Sequence, residues 1–206
     1  MAIIRSCRRE DLPSVAAIFR DSFPESIAAL MPGRDPVPAL TDIFSLLLSA
    51  VPRGFFVVEV DERVVGYIVA PDRLSRIWWQ AFVRGAILTW AAKFVLGMYN
   101  LPLHRLPRII WNKLLFVGSE KSYSPPGPYG RILSVAVAPE ARGQGLSKEL
   151  VARALAWLRT AEVQYVKLEV RPDNLPAVKT YRGLGFVERG LTRDIQGSWL
   201  VLILKL

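Results

Sequence analysis

The chain has 206 residues, 51% of them hydrophobic, and a formal net charge of +9. That length holds one domain with a sizeable core, and that hydrophobic content excludes a disordered tail protein. One cysteine (Cys7) and one histidine (His104) exclude a disulfide framework and leave a zinc site without enough ligands, so no metal is expected.

Residues 2–5 form a short expected strand. Charge arrives at Arg5 after only three apolar residues, so the segment lacks the core of a secretory signal, and a cytoplasmic location is the expectation. Asp11 is placed to cap a helix that carries Val15, Ile18 and Phe19 at helical spacing, with Pro13 tolerated in the first turn. Ser22 to Ser26 should break it, and a second helix is expected over Leu40 to Ser49. A hairpin follows: Gly54 to Val60, a turn at Asp61-Glu62-Arg63, and a return strand over Val64 to Ala70.

Residues 71–126 differ in character. Four of the six tryptophans lie there, at 78, 79, 90 and 111. Eight basic residues (Arg73, Arg76, Arg84, Lys93, Arg105, Arg108, Lys113, Lys121) face two acidic ones (Asp72, Glu120). We read the stretch as an insertion within a single domain over 1–206. Its window 77–98 is nearly apolar enough to span a membrane, but Arg84 and Lys93 fall inside it, each costing about 2.5–3.5 kcal/mol near a bilayer centre. A single crossing would also separate the two halves of the domain. Three readings stay open: helices packed as a lid or homodimer surface, an interfacial contact of 73–116 with membrane or anionic lipid, or an acceptor pocket for an anionic substrate.

Regular structure resumes with a strand over Arg131 to Val137 and a loop to Gly145. A helix follows from Leu146 to about Ala161, with Leu150, Val151, Ala154, Leu155 and Leu158 on one face. Then come a strand over Tyr165 to Arg171, a short helix over Leu175 to Leu184 closed by Gly185, and strands over Val187 to Arg189 and Ser198 to Leu206.

The unit that carries chemistry is the turn Arg142-Gly143-Gln144-Gly145-Leu146-Ser147 between a strand and a helix. Its glycines permit a tight turn with uncovered amides, and the helix adds free N–H groups and a positive dipole end. Together they suit a phosphate or pyrophosphate, although an ordinary strand-to-helix turn would use the same glycines. The spacing fits neither a Walker loop nor a dinucleotide fingerprint, whose third glycine is Lys148 here.

The turn resembles the acetyl-CoA loop of the GNAT superfamily of N-acetyltransferases: a Gln or Arg (Arg142), a Gly (Gly145), then a small residue (Ser147, where Gly or Ala is usual). The preceding Val135, Val137 and Pro139 resemble the family's strand pattern, and Val65-Gly66-Tyr67 its third strand. Asn174, Tyr181, Gly185 and Phe186 resemble its later motif. The resemblance covers about 1–70 and 129–206. It implies an α/β (α+β) fold with a mixed central sheet of about six or seven strands flanked by helices, splayed between strands 4 and 5. It also implies an acyltransferase with acetyl-CoA as co-substrate, held by Val135, Ala136, Val137, Arg142 to Ser147, Asn174 and Tyr181.

In such enzymes the pantetheine arm pairs with the free edge of strand 4, whose N–H polarises the thioester carbonyl. The resemblance makes Tyr181 the general acid toward the departing thiolate; packed on its helix, the ring could equally be structural. Asn174 would bind pantetheine or cap its helix, or do both. Lys179 or Arg182 would screen the 3′-phosphate. Leu168-Glu169-Val170-Arg171 is similar to a stretch of the ribosomal-protein N-terminal acetyltransferases, where the glutamate is implicated as base. The alternative for Glu169 is a sheet-face carboxylate paired with an arginine. Glu25, Ser26 and Glu59 are weaker base candidates, while His104 and Cys7 are expected to be bland. The expected reaction is direct acetyl transfer to an amine, small or on an amino sugar, with a protein N-terminus or lysine as runner-up. A non-catalytic acyl-CoA-binding domain is the reading from another class. Nothing beyond charge suggests nucleic acid.

Overall fold

The structure, a computed structural model, describes residues 1–30, 35–83, 123–194 and 197–206. Strand β1 (Ala2–Ser6) leads through a 3-10 turn (Arg9–Asp11) to helices α1 (Leu12–Ser22), α2 (Pro24–Leu30) and α3 (Val37–Ala50). The hairpin β2 (Phe55–Val60) and β3 (Arg63–Val69) precedes helix α4 (Ser75–Val83). After the undescribed stretch come β4 (Tyr129–Ile132), β5 (Ser134–Val137), α5 (Leu146–Thr160), β6 (Tyr165–Val170), α6 (Leu175–Gly183), β7 (Val187–Asp194) and β8 (Gly197–Lys205). Most of the expected insertion, including His104 and the basic residues from Arg84 to Lys121, lies outside the described residues.

The strands form two four-stranded sheets. One is antiparallel in the order β1-β2-β3-β5; the other runs β4-β6-β8-β7, with β4 parallel to β6 and the rest antiparallel. The expected single strand over 131–137 is therefore corrected to two, which join the sheets end to end.

Alternation across the strands divides the core. Phe56, Val58, Ile68, Val166, Leu168 and Leu202 pack with α5 and α6. Phe55, Val57, Tyr67 and Val69 pack with α1 and α3 on the other face, where Phe44 meets Tyr67 edge to face at 5.3 Å between ring centroids.

Three local expectations are corrected. Asp11 does not cap α1, because it sits in helical conformation without a cap bond. Its buried carboxylate instead takes both Nη atoms of Arg5, at 2.7 and 2.8 Å, and the Arg8 N–H at 2.7 Å. Burial alone would raise its pKa, but these bonds hold it below the usual carboxylate range. Ser22 to Ser26 interrupts the helical run only at Phe23, because Pro24 opens α2, where a proline costs no hydrogen bond. β7 runs on to Asp194, well past Arg189.

Candidate active site

The segment Tyr129–Val137 changes partners halfway along. Its first half pairs with β6 in parallel as far as Ile132↔Leu168. Among the described residues its second half pairs only with β3, from Val69↔Ser134 to Gly66↔Val137. At the junction the Leu133 N–H donates to the Val69 carbonyl at 2.9 Å, while Ser134 is the register partner of the same Val69. Two residues thus oppose one, a β-bulge. Leu133 packs in the α1–α3 core, and Ser134 Oγ bonds the hydroxyl of fully buried Tyr67 at 2.7 Å, so both side chains emerge on one face.

Beyond the bulge the segment parts from β6, the splay expected between the strands at 131–137 and 165–171. β5 is the end strand of its sheet. The Ala138 N–H bonds the Val65 carbonyl, so alternation turns the N–H and C=O groups of Val135 and Val137 away from β3 and into the gap before β6. One of these groups is used: Arg142 Nε donates to the Val137 carbonyl at 3.0 Å. The Arg142 Nη2 also reaches Ser22 Oγ at the end of α1, at 3.3 Å.

Past Arg142 the chain makes the glycine turn. Gly143 and Gly145 have φ of +80° and +79°, and a Cβ at either would meet nothing within 4 Å. The turn is left-handed and open above its backbone. Gly145 is the N-cap of α5 without a side-chain cap bond, and the Lys148 and Glu149 N–H groups both bond its carbonyl. Helix geometry leaves the Leu146 and Ser147 amides pointing out of the helix end, at the positive end of its dipole.

Tyr181 on α6 completes the arrangement. Its ring is buried in the same cluster as Val137 and Leu146, with Val135 packed against that cluster. It meets Phe186 edge to face at 5.8 Å between centroids. Burial pushes its hydroxyl pKa up to about 12. Residues of the strand edge, the loop–helix junction and Tyr181 thus belong to one apolar cluster. Asn174 sits at the exposed N-cap of α6, where its Oδ1 accepts the Ala177 N–H at 3.2 Å.

The base candidates lie on β6, β2 and α2. Glu169 lies on β6 with a nearly buried side chain, 3.1 Å from Arg131 Nη2 and 3.5 Å from Lys167 Nζ. Lys167 and Arg131 are themselves buried register partners across β6 and β4. Sequence reasoning missed both, although Val166, Leu168 and Val170 alternating with Lys167 and Glu169 signals opposite charges on one face. Glu59 is bound to Arg5 at 2.7 Å, far along the hairpin. Glu25, in the first turn of α2, approaches Arg171 at 3.7 Å; Ser26 follows it. Arg182 pairs with Glu188 at 3.0 Å, and Lys179 is exposed on the same helix. Cys7 is buried, and burial first of all pushes its thiol up to about 12, the mark of an inert cysteine.

A family model described as the acetyltransferase (GNAT) family matches residues 12–186. Curated relatives match locally. A mycothiol acetyltransferase of Frankia casuarinae is 39% identical over 74 residues, which is 36% of this chain and 21% of that protein. Another, of Corynebacterium kroppenstedtii, is 35% identical over 81 residues, 38% of this chain and 22% of that protein. The matched part thus spans about a fifth of those relatives' length. Among solved structures, Ard1 from Thermoplasma volcanium superposes with a TM-score of 0.60 at 21% identity, covering 100% of this chain and 97% of that one. The ribosomal-protein-alanine N-acetyltransferase of Brucella melitensis gives 0.60 at 20% identity, covering 99% of both chains. At such identities the likeness is one of fold.

Proposed function

Because the chain belongs to the acetyltransferase (GNAT) family, we propose that it transfers an acetyl group from acetyl-CoA to an amine, by direct attack in a ternary complex. The observation that carries this reading is the open edge of β5, which leads through a 3-10 turn (Pro139–Ala141) to the left-handed glycine turn, with Tyr181 in the apolar cluster that β5 packs into. Acetyl-CoA supplies the activated acetyl thioester; the rest falls to the chain's own groups.

The amides of Gly143 to Ser147 suit the pyrophosphate, since a Cβ-free turn lets an anion approach the backbone. The edge groups of Val135 and Val137 that remain open suit the amides of the pantetheine arm. A Val135 N–H held rigidly at the bulge offers a donor to charge developing on the carbonyl oxygen. Tyr181 offers its proton to the leaving sulfur and regains one from the attacking amine. Asn174 keeps its Oδ1 on the helix and offers its NH2 group to the ligand.

Glu169 suits a structural role better than that of the base. Both oxygens of its carboxylate face buried cations, so an acceptor that arrives as an ammonium ion loses its extra proton to solvent before attack, and the second proton, lost on forming the amide, is the one Tyr181 regains. The acceptor favoured here is a small, amino-sugar-like amine, in keeping with relatives named mycothiol acetyltransferases.

The test is thiol release from acetyl-CoA across a panel of amino sugars, alkylamines and peptides. Turnover is expected with amino sugars first; turnover on peptides alone would replace the acceptor class, and CoA binding without any turnover would remove the reaction. Tyr181→Phe should lower kcat about 100-fold with little change in KM. Because Tyr181 stays protonated until about pH 12, the rate should climb as the amine deprotonates and show no alkaline fall below about pH 10. A descending limb near neutrality would rule Tyr181 out as the acid.

A further inference from the structure

Helix α4 turns its apolar side outward. At about 100° per residue, Trp78, Phe82, Trp79 and Val83 fall within one arc of about 140°. These side chains are 58%, 74%, 63% and 58% exposed, respectively. The half-buried Ile77 and Gln80 lie on the opposite arc, and α4 packs against α3. Trp79 and Phe82 have ring centroids 6.4 Å apart, so the patch is continuous. A soluble chain rarely leaves three large aromatic rings together in water without a use for them.

The border of the patch says what kind of surface it fits. Exposed Arg76 borders the aromatic arc beside Val83, exposed Arg73 lies just before the helix, and α4 itself carries no acidic residue. The nearby Asp72 is buried and ion-paired to Arg76 at 3.1 Å, so it neither faces outward nor leaves Arg76 free to fold over the rings. Tryptophan settles at the boundary between headgroups and acyl chains, and arginine beside it reaches the phosphates. A protein partner that filled this arc would more naturally meet a mixed polar rim.

We propose that Arg73–Val83 docks on an anionic lipid surface, with Trp78, Trp79, Phe82 and Val83 entering the headgroup boundary and Arg73 contacting lipid phosphates. This stands independently of the acetyl-transfer reading. It places the α1–α3 side of the sheet, to which α4 is attached, toward the lipid.

The experiment is co-sedimentation with vesicles of phosphatidylcholine alone and of phosphatidylcholine mixed with phosphatidylglycerol. The full chain should bind the mixed vesicles about tenfold more tightly than the neutral ones, and salt should weaken that binding. A Trp78→Ser/Trp79→Ser/Phe82→Ser variant should lose about tenfold or more of it, and Arg73→Gln a smaller part. All three replaced rings are exposed, so the variants should melt at the wild-type temperature. Vesicles should also shift the tryptophan fluorescence to the blue, less so in Trp78→Phe/Trp79→Phe. Equal pelleting by wild type and the triple variant would overturn the proposal. So would a dimer in sedimentation velocity that the triple variant dissolves without any vesicle binding, which would assign the patch to a second copy of the chain.

Discussion

β4 and β5 are consecutive pieces of one extended segment, yet they do opposite things. β4 is paired on both sides: β6 takes one edge, while the Arg131 and Leu133 N–H groups reach the Pro71 and Val69 carbonyls on the other. β5 is paired, among the described residues, on one side only. The first half holds the two sheets together, and the second offers its backbone to a ligand. One extra residue at Leu133–Ser134 separates the roles. A cleft can therefore be made without a cavity in the core, by letting a strand change sheets partway along.

The sharpest way to break this contrast is to place the same substitution in each half. Ile132→Pro removes an N–H that faces β6 and a buried side chain, and should prevent folding. Val135→Pro removes an N–H that faces the gap. It should leave a folded chain whose kcat/KM falls about 100-fold. A Val135→Pro protein that folds and turns over normally would take the open edge out of the mechanism.

A smaller effect is expected where the halves part. Arg131 on β4 reaches Glu169 one residue past the last β4–β6 pair, and Lys167 holds the other carboxylate oxygen. Glu169→Gln should cost about 3 kcal/mol in urea denaturation, since it removes the negative charge that two buried cations face. If Glu169 were instead the base, stability would hold and kcat would fall with an altered pH profile.

The smallest effect belongs to the turn after β5. Gly145→Ala meets no neighbour but must adopt φ near +79°, so a loss of about 1 kcal/mol is expected. The KM for acetyl-CoA should rise severalfold while kcat changes little. A stability loss with an unchanged KM would mean that the turn shapes the fold without cradling the phosphate.

Much of this was legible in the residues. The β-rich run from Gly54 to Val60, the helical spacing of Leu150 to Leu158 and the ordered motifs from Val135 to Phe186 are local patterns, and each led to the element or junction observed. What was not legible depended on partners far along the chain. The bulge follows from register against Val69, which no stretch of nine residues can display. Asp11 looks like a cap until Arg5 and Arg8 are seen to claim it. Asn174 was legible as a cap because its partner is three residues away. Arg131 and Lys167 are charges in an apolar sheet, and only the pairing of β4 with β6 brings them to one carboxylate.

The unpaired edge of β5 has a second consequence. A row of open backbone groups is a template for any passing strand, including one from another molecule. Here the row is only four residues long, and Arg142 occupies the Val137 carbonyl near its end. A ligand seated along that row would block the template and would also favour the native state by mass action. Solubility on storage should therefore depend on whether CoA is present, and loss of soluble protein is where the one-sidedness of this strand would first be felt.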